Sequence, residues 1–191
     1  MEDVKTGRKA DYPIEPLLLE RWSPRAMSGE PISQQQLMQL FEAARWAASS
    51  FNNQPWRFVY AIRDSHYWQQ FLSFILPGNR VWSEKAAVLI VVLSHHEESN
   101  SVHLTTGCAL QNMLLEASAL HLVAHGIAGI DHEKIKKELQ LSDDYTVECM
   151  VVIGTPGNIK DLPEKLQARE IPSSRKKIEE FVFEGKLTEN K

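Results

Sequence analysis

Residues 86–93 read Ala-Ala-Val-Leu-Ile-Val-Val-Leu, eight consecutive apolar side chains rich in branched aliphatic types. Successive side chains on a strand point to opposite faces, so a run with no polar member predicts a strand buried on both sides. It is far shorter than the roughly 20 apolar residues that a membrane-spanning helix needs. A second run, Thr146 to Ile153 (TVECMVVI), predicts another buried strand, closed by Gly154-Thr155-Pro156-Gly157. Two such strands require cover on both faces of one sheet, and the remaining sequence offers helices for it.

The first clear helix opens at Ser33, with Gln36 completing a capping box and Ile32 and Leu37 at the positions of a hydrophobic staple. Leu37, Leu40, Phe41, Ala44 and Ala48 recur at helical spacing, and the helix should stop near Ser49-Ser50, ahead of Pro55. Residues 57–62 read as a strand. Asp64 is placed to cap a helix through about Leu76, ended by Pro77-Gly78-Asn79. A long helix is expected from Val102 to Val123, with Leu104, Cys108, Gln111, Leu115, Ala119 and Leu122 along one face. Its flanks are rich in Ala and Leu, which predicts burial nearly all round, and Gly126 is placed to end it. Asp131 caps a short helix through Leu139. Beyond Gly157 the chain turns polar, with a short helical stretch at Lys177 to Phe183. The strands and helices do not alternate regularly, so the pattern is α+β in a single domain over residues 1–191, not a doubly wound parallel fold.

Composition narrows the partners. The 191 residues carry a formal net charge of −4, and the lysine pairs 136–137 and 176–177 sit in mixed-charge segments. Neither nucleic acid nor an anionic membrane surface is expected. The opening MEDVKTGRKADYP holds no apolar core of a secretion signal, and Cys108 and Cys149 lie in apolar stretches as buried thiols, consistent with a reducing cytoplasm. His121 and His125 stand one helical turn apart without a carboxylate or cysteine to complete a metal site. No Gly-x-Gly-x-x-Gly, Walker-type or Gly-x-Ser-x-Gly motif occurs.

Four separated segments carry the chemistry. Arg21-Trp22-Ser23-Pro24-Arg25 supplies two permanent cations and a hydroxyl, donors suited to a phosphate or carboxylate. Ala47-Ala48-Ser49-Ser50-Phe51-Asn52-Asn53-Gln54-Pro55-Trp56 gathers five amide or hydroxyl side chains at a helix-to-strand junction, more than a turn requires. His125-Gly126-Ile127-Ala128-Gly129-Ile130-Asp131 contains two glycines that would let backbone approach a flat ring. Ser173-Ser174-Arg175-Lys176-Lys177 adds a basic group near the carboxy terminus.

The second segment resembles the serine-rich Asn-x-Gln-Pro-Trp stretch of the nitroreductase family. The first is similar to that family's Arg-x-Ser-x-Arg/Lys segment, and the likeness runs from about Pro16 to Lys186. It implies an α+β fold with a central mixed sheet flanked by helices. It also implies a homodimer in which a carboxy-terminal arm, about residues 160–191, crosses to the partner. The cofactor implied is FMN. Arg21, Ser23 and Arg175 would hold its phosphate, with Trp22 inside the same segment. Arg25, with Lys85 as a second cation, would face flavin N1. Ala48, Ser49, Ser50, Asn52 and Gln54 form the segment that approaches from the partner, Asn79 would reach the pyrimidine edge, and Ala128 and Gly129 would face N5. Ala128 stands where some members carry glutamate. No protein nucleophile or metal is implied, because the flavin carries the redox chemistry. The expected activity is ping-pong electron transfer from NADH or NADPH to nitroaromatic, quinone or related small acceptors. The alternatives are a flavin-holding or interaction protein without reductase activity, and a family branch that cleaves flavin or removes halogen.

Overall fold

The computed structural model describes residues 6–96 and 101–187. The first five residues of the opening stretch and the last four of the expected arm lie outside them. In chain order the helices and strands are α1 (Pro16–Glu20), α2 (Gln34–Arg45), β1 (Trp56–Ile62), α3 (Trp68–Ser73), α4 (Pro77–Ser83), β2 (Val88–His95), α5 (Val102–Ala119), β3 (Val123–Ile127), α6 (His132–Glu138), β4 (Tyr145–Gly154) and α7 (Glu164–Gln167).

The strands form one sheet in the order β1-β2-β4-β3, with the two apolar runs at its centre. Every pairing is antiparallel, which corrects the expectation of a mixed sheet within the described chain. The reason is geometric. The α5 helix carries the chain back along the sheet, so β3 runs in the same direction as β2, but β4 lies between them and opposes both. Alternation then sorts the side chains. Leu89, Val91, Leu93, Met150 and Val152 pack on the face covered by α3, α4 and α6. Val88, Ile90, Val92, Val151 and Ile153 pack against Leu37, Leu40 and Ala44 of α2 and Ala109, Met113 and Ala117 of α5.

Several local expectations hold. Ser33 accepts a hydrogen bond from the Gln36 amide while the Gln36 side chain accepts from the Ser33 amide, closing the capping box. Asp131 caps α6 by accepting from the Lys134 amide. Others are corrected. The helix expected through Leu76 is the shorter α3, Asp64 sits in a turn at φ 62°, and Pro77 opens α4 at its first position, where its missing N–H costs nothing, instead of only ending a helix. The α5 helix ends at Ala119, not at Gly126, which lies inside β3. Leu120 caps it and His121 takes the left-handed conformation, at φ 57°.

The face of α5 is also reversed. Val102, Thr105, Thr106, Ala109, Met113 and Ala117 are buried, whereas Leu104 is 74% exposed and Cys108, Gln111 and Ala119 are exposed. Both faces are apolar enough to be core, and hydropathy alone does not rank small Ala and Thr above Leu as the side packed against the sheet. Of the two thiols, Cys108 is therefore open to solvent, and Cys149 is half-buried. Burial, then the neighbouring Glu148, pushes the Cys149 thiol up to about 11. No described helix is long and apolar enough to cross a membrane.

Candidate functional site

The Arg21–Arg25 segment is launched by α1, which begins at Pro16 and ends where Arg21 takes an extended conformation. On the far end it is fastened to the loop after β4: the Ser28 amide donates to Thr155 O at 3.0 Å and the Gly157 amide to Ala26 O at 3.0 Å. Gly157 is required here, since a Cβ would fall 2.3 Å from the Met27 carbonyl carbon. Between these anchors Trp22, Pro24 and Ala26 line a cavity of about 510 Å³.

Arg21 donates from Nη1 to Ser23 Oγ at 3.3 Å, so two predicted ligands are already joined. A third arginine, Arg8, reaches the same place and donates from Nη1 to Arg21 O at 2.8 Å and Leu19 O at 3.3 Å. Burial, followed by the positive charge of Arg175, holds the Arg21 guanidinium below its ordinary value. Arg8 is lowered in the same way, by burial, then by Arg175 and Arg21. Arg175 comes from the carboxy-terminal segment, exposed and with Nη1 on Ser173 O, Ser173 Oγ and Ser174 O. Three guanidiniums from three parts of the chain thus share one locality. Among the described residues no carboxylate pairs with any of them, and Nε of Arg8 is buried without a hydrogen-bond partner. An arrangement of cations that repel one another is suited to an anion that would neutralise them. Arg8 was not readable as a member, because it stands in a polar amino-terminal stretch that looks solvated.

Arg25 faces other company. Its Nη1 lies 3.6 Å from Oε2 of Glu170, whose Oε1 accepts from the Arg25 amide at 2.5 Å and the Ala26 amide at 2.8 Å. His125 lies beside this pair: its Nδ1 donates to Pro24 O at 3.1 Å and its ring stands 4.9 Å from that of Trp82. Burial, as the largest effect, lowers the His125 value and favours the neutral ring.

Asn79 and Gly129 lie against each other. A Cβ on Gly129 would lie 2.7 Å from Asn79 Nδ2, so the glycine is what lets the amide lie against the backbone. The Gly129 carbonyl accepts from the Leu76 amide, and the Ala128 carbonyl from the Ile130 amide, fixing the loop after β3. Ala128 itself is exposed. Lys85 pairs with Asp161 at 3.1 Å on an open surface, a contact that sequence spacing did not indicate.

The amide-rich segment stands apart. Ser49, Ser50, Asn52 and Gln54 make bonds only among themselves and their neighbours: the Gln54 amide donates to Ser49 Oγ at 3.3 Å and its side chain to Asn52 O at 2.9 Å. No described hydrogen bond or ion pair joins them, or Ala48, to the arginines, Asn79 or Gly129. Phe51, Asn52 and Gln54 all occupy the left-handed region, at φ 50°, 59° and 49°, and Phe51 is 96% exposed. Three strained non-glycine residues in four are a conformation that surroundings or function must sustain.

At the end of the sheet where β1 begins, a bulge between Val92 and Leu93 frees Glu148 from the ladder. Its Oε1 accepts from Ser94 Oγ and lies 2.6 Å from Nδ1 of His103, tying the first turn of α5 to β4.

A profile of the nitroreductase family matches residues 18–78 and 65–155. A Streptomyces coelicolor protein named as a candidate NADH dehydrogenase/NAD(P)H nitroreductase is 26% identical over 167 residues, spanning 74% of this chain and 84% of its own length. A solved structure described as an oxidoreductase containing FMN is 38% identical with a TM-score of 0.93, covering 96% of this chain and 98% of its own. A Desulfovibrio desulfuricans protein, described as a candidate nitroreductase in complex with FMN, is 26% identical with a TM-score of 0.75, covering 94% and 100%. With the family profile matched over residues 18–155 and the fold shared along most of its length, the chain belongs to the nitroreductase family.

Proposed function

We propose that this protein is an oxidoreductase that binds FMN at the interface of a homodimer and passes electrons from NADH or NADPH to a small acceptor. The carrying observation is the gathering of Arg8 and Arg175 near Arg21, itself joined to Ser23, with no described carboxylate to neutralise them. That donor set fits a phosphate, and the Asn79–Gly129 contact offers a flat, backbone-lined surface for the ring. Relatives described as FMN proteins support the reading. When bound, FMN supplies the redox chemistry, and the protein supplies position and electrostatics.

In this reading Arg21, Ser23, Arg175 and Arg8 hold the phosphate, and Arg25 presents a cation toward flavin N1, with Lys85 farther out in its pair with Asp161. Gly129, Ala128 and Asn79 border the ring. Ser49, Ser50, Asn52 and Gln54, bonded only locally and with Asn52 and Gln54 in the left-handed region, complete the site from the partner subunit. The α5 face of Leu104, Cys108, Gln111 and Ala119, all exposed, with Leu115 half-buried among them, is the natural face for a second copy. In the expected arm, Leu162 is buried within its own chain and Arg175 lies near Arg8 and Arg21, so exchange would begin beyond Arg175, where Phe181 and Val182 are exposed. Donor and acceptor would use one open face in turn, a ping-pong order.

Titrating the apoprotein with FMN and with riboflavin tests the reading. FMN should bind tighter by about tenfold or more, since a charge-assisted phosphate contact contributes about 1.5–3 kcal/mol. Equal binding of the two would overturn the phosphate assignment. Anaerobic NADH or NADPH should then bleach the bound flavin; a flavin that neither reduces identifies a holding protein instead.

A further inference from the structure

Among the described residues Glu170 is the one buried charged residue, with its side chain 1% exposed. The chain turns after α7 to place it, the Glu170 amide donating to Gln167 O at 3.1 Å. The two backbone N–H groups of Arg25 and Ala26 account for Oε1. A neutral acceptor such as glutamine would satisfy them equally, without the cost of burying a charge. Oε2 is buried with no hydrogen bond, and its nearest cation is the Arg25 guanidinium at 3.6 Å. The other charged pair beside Arg25, Lys85 and Asp161, is engaged with itself. The negative charge of Glu170 is therefore directed chiefly at Arg25; its other titratable neighbour, His125, is favoured in the neutral form by burial.

We propose that Glu170 is a positioning residue that holds the Arg25 guanidinium in place and offsets its charge, keeping the flavin potential lower than an unopposed arginine would set it. The inference rests on the reading that Arg25 faces flavin N1. A cation there favours the reduced ring, where added negative charge collects, and a carboxylate behind the cation weakens that preference. Offsetting the charge makes the reduced protein a stronger electron donor toward its acceptor. The phosphate arginines show the contrast: charges meant for a ligand are left without a described carboxylate, while this one is matched by a buried one 145 residues away in the chain.

The test is the midpoint potential of the FMN-saturated protein, with loading checked by absorbance. Glu170→Gln keeps an oxygen for the two N–H groups and removes the charge. It should raise the equilibrium constant for reduction about tenfold, or about 30 mV for a two-electron couple. Arg25→Gln should move it the other way. The double variant Glu170→Gln/Arg25→Gln should return to within about threefold of the wild type, because both charges of the pair are gone. The double variant leaves no unpaired buried charge, so it decides the matter even if Glu170→Gln alone does not fold. A wild-type potential in Glu170→Gln, or a double variant as low as Arg25→Gln, overturns the proposal. Failure of the wild type to bind FMN would instead overturn the functional reading beneath it.

Discussion

Arg21 and Arg25 stand one strand-length step apart on the same loop and occupy opposite electrostatic surroundings. Arg21 sits among Arg8 and Arg175, and burial, then the charge of Arg175, depresses its guanidinium. Arg25 meets a buried carboxylate that also accepts two backbone hydrogen bonds from its loop. A cation left among cations costs the folded chain something unless an anion arrives, so the Arg21 region is built for an exchangeable ligand. A cation matched by a buried carboxylate is held whether or not a ligand is present, so the Arg25 region is built for a fixed field. In the proposed reading, one loop separates retention of a ligand from tuning of it.

The largest expected effect breaks that separation directly. Arg21→Ala should weaken FMN binding about tenfold to a hundredfold, the equivalent of about 1.5–3 kcal/mol for a charge-assisted contact. Arg25→Ala should leave affinity within about threefold while lowering the potential of the FMN-saturated protein. Equilibrium dialysis and potentiometry on both variants separate the two outcomes. If Arg21→Ala moves the potential and Arg25→Ala moves the affinity, the two roles are exchanged.

A smaller effect sharpens the same contrast through His125, which lies beside Arg25 and Glu170. Its value is lowered from 6.5 in the folded chain, chiefly by burial. The unfolded chain therefore takes up a proton near the ordinary histidine value while the folded chain resists, so stability falls as pH drops below about 6.5 and through the lower folded value. Above that range His125 contributes no pH dependence. Thermal unfolding at about pH 7.5 and about pH 5 should show a larger loss for wild type than for His125→Gln. Equal losses would mean that the ring is not held neutral in the fold.

A modest test concerns the exposed side of α5. If a second copy covers it, Cys108 should react slowly with a thiol reagent at micromolar protein and faster on dilution, while Cys149, its thiol pushed up to about 11, stays inert. Concentration-independent labelling of Cys108 would argue that this face is free.

Local chemistry was legible where the deciding partners are near in sequence. The Ser33–Gln36 capping box, the Asp131 cap and the two central strands depend on neighbours within a turn or on unbroken apolar runs, and each forms as read. The family resemblance, carried by Arg21–Arg25 and Ser49–Trp56, was legible for the same reason: short motifs report the chemistry of their own residues. Where two neighbouring signals competed, the reading failed. Pro77 can end one helix or begin the next, and it begins α4. Gly126 can stop a helix or sit in a strand, and pairing with Val151 puts it in β3.

The rest was decided by contacts that no local pattern encodes. Which face of α5 packs inward depends on the shape of the sheet beneath it, and close approach selects Ala109, Met113 and Ala117 over Leu104 and Cys108. Arg8 and Glu170 each read as one more solvated charge in a polar stretch. Only the folded chain brings Arg8 to Arg21 and Glu170 to Arg25, across 13 and 145 residues. The sequence by itself determined three of the four strands, the caps at Ser33 and Asp131 and the residue types available to a phosphate and a flat ring, because propensity, patterning and side-chain chemistry are local. Tertiary structure alone decided which of those charges would be left open and which would be matched, because Coulomb energy depends on distance and burial, and neither is set until the chain has closed on itself.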